Sequence, residues 1–243
     1  MKYAVIAAGE GSRLSHEGID IPKPLVKVGD ERLIDRLIRI FMAHEAEEIV
    51  VICNDKTTAV RDHLYNLAQN GLNGKDLPLQ VVVKSTPSSM HSLYEMRKYL
   101  LDSPFCLTTV DTIFKESEFK QYLEEYDNAI TGGVDAWMGV TTYVDDEKPL
   151  YVETNEKMRV TGFLDNNNGN CRYISGGIYG LNFRALATLE VCIERGERRM
   201  RNFQRALIAD GLDVRAYAFG QILDIDHAVD IEKAKGFLLQ GTL

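Results

Sequence analysis

The sequence predicts an α/β protein in which helices cover both faces of a mixed central sheet, a three-layer α/β/α arrangement. Three observations lead there. A fully apolar run at 3–8 and apolar-rich runs at 48–53, 79–83 and 105–110 have the length and composition of buried strands. Helical stretches separate them, the rhythm of a parallel sheet with crossover helices. After about residue 130 the rhythm changes to short strand candidates joined by Asp, Asn and Gly turns, which makes the sheet mixed rather than purely parallel.

Taken in order, Tyr3 to Ala8 (YAVIAA) is the first strand, followed by a polar, glycine-containing loop from Gly9 to about Pro22. Leu33, Leu37, Ile40 and Phe41 recur at helical spacing and predict an amphipathic helix over 31–45. A strand at 48–53 and a helix at 57–69 capped by Thr57 come next. A strand at 79–83, a helix at 89–102 and a strand at 105–110 complete the front half. The back half offers strands at 134–144, 150–154, 159–164 and 171–179, with a plain turn at Asp165 to Asn170. Helices are expected at 182–195 and 200–210, then a strand at 214–219, an extended segment at 222–225 and a last helix at 229–239. There is no repeat, linker or low-complexity tract, so 1–243 reads as one domain, a nucleotide-binding half (1–130) merged with a second half (131–243).

Composition narrows the function classes. The 243 residues are 45% hydrophobic and 26% charged, ordinary globular usage that excludes disordered, collagen-like and coiled-coil classes. Lys and Arg number 28 against 36 Asp and Glu, a net charge of −8 that speaks against nonspecific nucleic-acid binding while leaving room for one local basic loop. No apolar run approaches the roughly 18 residues of a membrane span, and the run behind Met1-Lys2 is too short for a signal peptide. Cys53, Cys106, Cys171 and Cys192 are dispersed, without CxxC or zinc spacing, and read as buried free thiols. A reduced, cytoplasmic, soluble protein without nucleic-acid or membrane partners, and with room for homo-oligomers, is the expectation.

The chemistry gathers in the first loop. The first strand runs into Ala8-Gly9-Glu10-Gly11-Ser12-Arg13, where glycines admit close backbone approach and successive amides can cradle an anion. Arg13 adds a forked donor suited to phosphate oxygens. A Rossmann dinucleotide loop would need a third glycine where Leu14 stands, and a Walker A loop would need Gly-Lys-Ser/Thr; neither is present. Alone, the segment reads equally as a strand-to-loop turn. Farther on, Pro22 and Pro24 bracket Lys23 and stiffen the backbone on both sides of one ammonium; alone, that too reads as a surface turn.

Together, Ala-Ala-Gly-x-Gly-x-Arg-Leu, seven residues, then Pro-Lys-Pro-Leu and a helix near Leu33-Ile34 closely resemble the signature of the nucleoside-triphosphate transferase family, the nucleotidyltransferases that make NDP-sugars and related activated alcohols. The resemblance is dense over residues 3–41 and thinner beyond. It implies a Rossmann-like nucleotidyltransferase fold, an NTP and a phosphorylated acceptor as partners, and Mg²⁺ as cofactor. It places Arg13 on the leaving β/γ-phosphates and Lys23 at the α-phosphate as the catalytic pair, with Ala8, Gly9, Gly11 and Ser12 in the nucleotide loop. In-line transfer of this kind is mostly positioning and charge neutralisation, so the set suffices only with a metal.

The metal calls for hard oxygen ligands. Asp111 follows the fourth strand, at the carboxyl end of the expected parallel sheet where ligands of open α/β sheets collect; the family carries an Asp there, usually after a glycine, which is Val110 here. Leu223-Asp224-Ile225-Asp226-His227 resembles the family's closing motif, giving Asp224 and Asp226 as further ligands, with Asp226 open to a second reading as cap of the last helix. Ser85 to Leu93 lies where the family reads the base; Ser88 and Ser92 are the candidates. Ser92-Leu93-Tyr94 looks more like choline-phosphate cytidylyltransferases than like the sugar-transferring members. Ser175-Gly176-Gly177-Ile178-Tyr179 resembles the strand whose glycines, Gly176 and Gly177, lie against the acceptor, though a glycine bend in a strand reads as well. The family's Glu-Lys-Pro element is missing where Gly162-Phe163-Leu164-Asp165 stands. Arg195, Arg198, Arg199, Arg201 and Arg205 read as a solvated basic face with a phosphate partner as the alternative, and Trp137 as core.

The expectation is therefore a metal-dependent nucleotidyltransferase joining an NTP to a phosphorylated acceptor, a sugar 1-phosphate first, releasing pyrophosphate. A phosphocholine-type cytidylyltransferase, a dinucleotide-dependent oxidoreductase and a catalytically idle nucleotide-sugar-binding protein are the alternatives.

Overall fold

The structure is a computed structural model and describes residues 1–9, 11–145 and 147–240. Among the described residues, nine strands form one sheet, and its front is parallel. β1 (Lys2–Ala7) lies between β4 (Glu48–Cys53) and β6 (Phe105–Thr109), and β5 (Leu79–Val83) extends the sheet beyond β4. β11 (Tyr173–Leu181) then enters antiparallel beside β6. β8 (Ala136–Thr141) pairs antiparallel to β11 and β12 (Val214–Phe219) runs parallel to β8. A hairpin of β9 (Tyr151–Thr154) and β10 (Val160–Leu164) attaches through the start of β11. The mixed sheet expected from the change of rhythm is present, and two reversed strands, β11 and β10, cause it.

Alternate residues of each central strand feed two cores. Tyr3, Val5 and Ala7 of β1, with Ile49, Val51 and Cys53 of β4, pack under one helical layer. That layer holds α2 (Leu33–Ala43), α3 (Thr58–Asn70), α5 (Glu116–Thr131) and α8 (Ala228–Leu239). Ala4 and Ile6, with Val50 and Ile52, pack under α4 (Ser89–Met96), α6 (Phe183–Glu194) and α7 (Met200–Ala209) on the other face. Both faces of β1 are thus buried, which is why its sequence shows no polar alternation. Trp137 is core, 9% exposed. All four cysteines are buried and free, and among the described residues no helix is long and apolar enough to cross a membrane.

Several boundaries differ from the sequence reading for identifiable reasons. The helix expected over 31–45 begins at Leu33 because β3 (Glu31–Arg32) pairs with β2 (Lys27–Val28). The helix over 89–102 tightens into a 3₁₀ turn at Arg97–Tyr99. Thr57 stands at the start of α3 without a capping side-chain bond; the Asn54 side-chain Oδ1 instead accepts from the Thr57 backbone amide at 2.8 Å. Helix α5 falls where no element was expected, although Phe119, Tyr122, Leu123 and Tyr126 carry helical spacing and are all buried. β7 (Thr112–Ile113), also unforeseen, pairs with β13 (Leu223–Asp224) and brings the end of the chain back to the end of β6.

Candidate active site

The chain changes direction at β1. It builds outward through β4 and β5, then returns to place β6 on the other flank, so the carboxyl ends of β1 and β6 border a crevice where ligands of open α/β sheets bind. Three segments converge on that crevice: the loop after β1, the turn after β6 and the segment between β13 and α8.

Gly11 opens the first of these. It sits at φ +63°, ψ 29° ahead of α1 (Ser12–His16), and a Cβ there would stand 3.2 Å from the Lys23 Cβ, so glycine lets the loop close onto Lys23. Lys23 begins a 3₁₀ turn, Lys23–Leu25, anchored by the buried Pro24. The proline bracket thus gives a stiff mount, and its ammonium points inward: Nζ donates to Asp111 Oδ2 at 2.8 Å and to Asp226 Oδ1 at 2.7 Å, with the Lys23 side chain only 12% exposed. Burial opposes the charge, but the two carboxylates outweigh it and hold the ammonium above its ordinary pKa. Arg13 donates to the other Asp226 oxygen at 2.6 Å. Desolvation pushes the Asp226 carboxyl up, yet the hydrogen bond and charge of Lys23, with Arg13 and His227, bring it below the usual range.

The helix-cap reading of Asp226 does not hold. The cap of α8 is His227, in a capping box with Asp230, whose Oδ2 accepts from the amides of His227 at 2.8 Å and Asp226 at 3.1 Å. The Asp226 side chain is left for the crevice. Asp224 is exposed and takes a different partner: Thr112 donates to it at 3.3 Å, and Thr112 is itself linked to Thr109 at 2.6 Å. The three expected metal ligands are therefore not equivalent. Asp111 and Asp226 converge on one point, which Lys23 fills, while Asp224 stands on the adjoining strand. Among the described residues no three His, Cys, Asp or Glu side chains gather as a metal cage. Two carboxylates facing one cation position do fit Mg²⁺, which keeps waters and is completed by substrate phosphates.

On one side of this node lies a pocket of about 310 Å³ lined by Ala8, Gly9, Asn54, Lys56, Ser88 and Ser92, with Thr86 and Ser89. Ser88 caps α4, accepting from the His91 amide at 3.5 Å. Ser92 is buried and hydrogen-bonded to Thr86 at 2.6 Å. Ser12 lies in α1 and does not line the pocket. Adjoining it, with Ser88 and Ser89 in both linings, is a cleft of about 570 Å³ whose walls include Asp111, Asp224, Asp226, Gly177, Lys148 and Arg199. Gly177 faces the cleft, whereas Gly176 packs against Ile222, where a Cβ would meet Cδ1 at 2.2 Å.

The cleft also holds residues that sequence reasoning left aside. Arg198, Arg199 and Arg201, read as a solvated face, line it. Among the described residues Arg198 and Arg199 have no ion-pair partner, whereas Arg201 is tied to Asp165 at 2.5 Å. Lys148 belongs to a Glu147-Lys148-Pro149 sequence earlier in the chain than the place searched for that element. The floor carries Ser175, whose hydroxyl accepts from the buried Gln204 at 3.0 Å, and Tyr179, whose hydroxyl burial pushes up to about 12. Gln204 and the arginines share the start of α7; a basic run leading into an amphipathic helix is the signal that could have found them.

The nucleotidyl transferase family model matches residues 2–229, nearly all of the chain. The chain belongs to the nucleotidyl transferase family. Within it, glucose-1-phosphate cytidylyltransferases of Salmonella typhimurium and Salmonella typhi are each 29% identical over 66 residues, 27% of this chain and 26% of theirs. The stretch shared with these curated relatives is thus about a quarter of their length. The fold is that of solved nucleotidyltransferases. An inositol-1-phosphate CTP transferase from T. maritima superposes with TM-score 0.78 at 19% identity, over 98% of this chain and 97% of its own. A Bacillus anthracis protein described as a glucose-1-phosphate thymidylyltransferase, solved with sucrose, gives TM-score 0.81 at 18% identity over 98% and 94%. Family membership removes the oxidoreductase reading that the missing third glycine already disfavoured.

Proposed function

We propose that this transferase moves a nucleotidyl group from a pyrimidine nucleoside triphosphate to a phosphorylated polyol of the sugar 1-phosphate class, releasing pyrophosphate. The observation that carries the reading is the Lys23 ammonium, held by Asp111 and Asp226, two carboxylates in the wall of an arginine-lined cleft that shares Ser88 and Ser89 with the serine-lined pocket. A base and ribose in the pocket and a phosphorylated acceptor in the cleft would meet beside that ammonium. The pyrimidine preference rests on the relatives, whose names specify cytidylyl and thymidylyl transfer.

In this reading an oxygen of the acceptor's phosphate attacks the α-phosphorus, a new P–O bond forms, and the bond to the bridging oxygen of the β-phosphate breaks. Lys23 neutralises charge building on the α-phosphate oxygens. Arg13, drawn from Asp226, takes the departing β- and γ-phosphates. Asp111 and Asp226 are the residues that would hold Mg²⁺, which would supply charge neutralisation at the phosphates. Arg198, Arg199 and Lys148 supply the counter-charge for the acceptor phosphate, and Ser175, Gln204 and Tyr179 offer hydrogen bonds to hydroxyls. That wall favours a polyol over choline, because a row of guanidiniums repels a quaternary ammonium. The Ser92-Leu93-Tyr94 likeness to choline enzymes loses its force as well. Ser92 is spent on Thr86, and Tyr94 lies under the Arg97 guanidinium at 3.5 Å rather than lining the pocket.

The test is pyrophosphate release from CTP, UTP, dTTP and GTP crossed with sugar 1-phosphates, inositol 1-phosphate and phosphocholine, with Mg²⁺ and with excess chelator. A pyrimidine NTP with one of the phosphorylated polyols should be active only with metal. Release with phosphocholine alone would move the acceptor class. No release from any pair, together with no NTP-induced thermal shift, would overturn the reading.

A further inference from the structure

Glu17 lies one helical turn beyond Arg13, immediately after α1, and its carboxylate reaches across 211 positions of sequence to the start of α8. Oε2 accepts from the Ala228 amide at 2.7 Å, and Oε1 accepts from His227 Nδ1 at 2.6 Å. The two ends of this link are therefore neighbours of the two ends of another. Arg13 pairs with Asp226 at 2.6 Å, Glu17 with His227 and Ala228.

The two links differ in what substrate does to them. Arg13 meets Asp226 through Nη1, and an incoming phosphate competes with Asp226 for that guanidinium, so the Arg13–Asp226 pair is exposed to the nucleotide. The Glu17 link uses no group that the phosphates need, and it persists. The loop itself is weakly held otherwise. α1 is only five residues long, and its one buried side chain is Leu14. At its other end, the α8 start is fixed by Asp230 through two amides, so Glu17 ties a loose element to a rigid one.

We propose that Glu17 is a positioning residue for nucleotide binding. By clamping the end of α1 to the first amide of α8, it holds Arg13 beside the Lys23–Asp226 node before and during phosphate capture. The inference rests on the NTP-binding role proposed for that loop. Glu17 touches no reacting atom, and its effect runs through the placement of Arg13.

A clamp acting equally on bound substrate and transition state raises KM for the nucleotide and leaves kcat alone. Glu17→Ala should raise nucleotide KM and the calorimetric nucleotide Kd about tenfold, with kcat and acceptor KM near parental and no loss of Tm. Glu17→Gln, which keeps an oxygen for the Ala228 amide, should recover most of the affinity. Parental nucleotide KM and Kd in Glu17→Ala would overturn the clamp, as would a parallel rise of both KM values with a fall in Tm, the mark of a merely structural contact. Calorimetry with CTP, UTP and dTTP on the parent separates the two readings. A parent that binds none defeats the nucleotide-binding role and the clamp with it, whereas a parent that binds, with Glu17→Ala binding equally, defeats the clamp alone.

Discussion

Lys23 and Asp226 stand 203 residues apart in sequence and 2.7 Å apart in space, ammonium against carboxylate. The pair neutralises at rest the two kinds of charge that the proposed reaction needs free, a cation for phosphate and an anion for metal. Asp226 serves Lys23 through one oxygen and Arg13 through the other. In the proposed reaction, nucleotide and metal would replace partners for each other's sites, phosphates competing for the cations and a metal for the carboxylate.

The first prediction follows from that exchange. Asp226→Asn should lower turnover by roughly a hundredfold or more, the scale of losing a charged group at developing phosphate charge, and should raise the Mg²⁺ requirement. Asp224→Asn, which removes an exposed carboxylate whose hydrogen bond comes from Thr112, should be the milder lesion. Steady-state rates over a Mg²⁺ titration rank the two, and a more damaging Asp224→Asn would shift the metal to the Asp224 side. Lys23→Ala should lose turnover by orders of magnitude yet bind Mg²⁺ more tightly without nucleotide, since the competing cation is gone; calorimetry reads that reversal directly.

Arg198 and Arg199 form the second case. Both line the cleft and neither has an ion-pair partner among the described residues, so removing them leaves no stranded carboxylate behind. Arg198→Ala with Arg199→Ala should raise acceptor KM at least about tenfold, the worth of one charge-assisted contact, with nucleotide KM and Tm unchanged. An unchanged acceptor KM would return these arginines to the solvated surface.

What could be read in advance follows a physical division. The front strands were legible because β1 and β4 are buried on both faces, and a continuous apolar run such as EIVVIC has few other uses. Lys23 and Arg13 were legible through the resemblance of the combined Gly-x-Gly-x-Arg and Pro-Lys-Pro pattern to the family signature, since each piece alone reads as a turn. Contacts joining distant segments left no such trace. The different surroundings of Asp224 and Asp226 come from β13 pairing with β7 and from His227 taking the cap, and neither is encoded near Asp226 alone. The arginines at the start of α7 looked like surface because only the fold turns that helix start toward the cleft. Helix α5 was simply missed, although its spacing was present in Phe119 to Tyr126.

A third prediction concerns pH. His44, at the end of α2, packs edge-on to Phe119 at 5.9 Å; desolvation, with Lys120 nearby, lowers its pKa below the ordinary 6.5. The folded state therefore resists protonating it. Its contribution to stability is complete above pH 6.5 and is lost as pH falls below 6.5 through the depressed folded value. Tm of the parent should decline over that acidic window more steeply than Tm of His44→Gln. His227, whose pKa Glu17 raises, has its full effect below 6.5 and loses it only as pH rises above, so the two histidines titrate in separate windows. Identical slopes for parent and His44→Gln would remove His44 from the account.

The last prediction rests on Gly177. Its φ of +73° is a left-handed value, and a Cβ there would come within 2.8 Å of the Thr112 hydroxyl and 3.1 Å of that of Thr109. Those hydroxyls form the chain that ends on Asp224. Glycine is therefore required twice, by the backbone angle and by the close approach of two threonines under the cleft. Gly177→Ala should cost about 1–3 kcal/mol from the strained backbone and displaced hydroxyls, several degrees in Tm at this chain length. A control separates strain from site geometry. Gly133 has φ +91° and nothing within 4 Å of its Cβ position, so Gly133→Ala carries the backbone penalty alone. It should lower Tm while leaving acceptor KM untouched, whereas Gly177→Ala should lower Tm and raise acceptor KM because Thr109 and Gly177 both line the cleft. If Gly177→Ala loses stability but keeps parental kinetics, the threonines only support the strand, and the acceptor must be read by the Ser175–Gln204 floor alone.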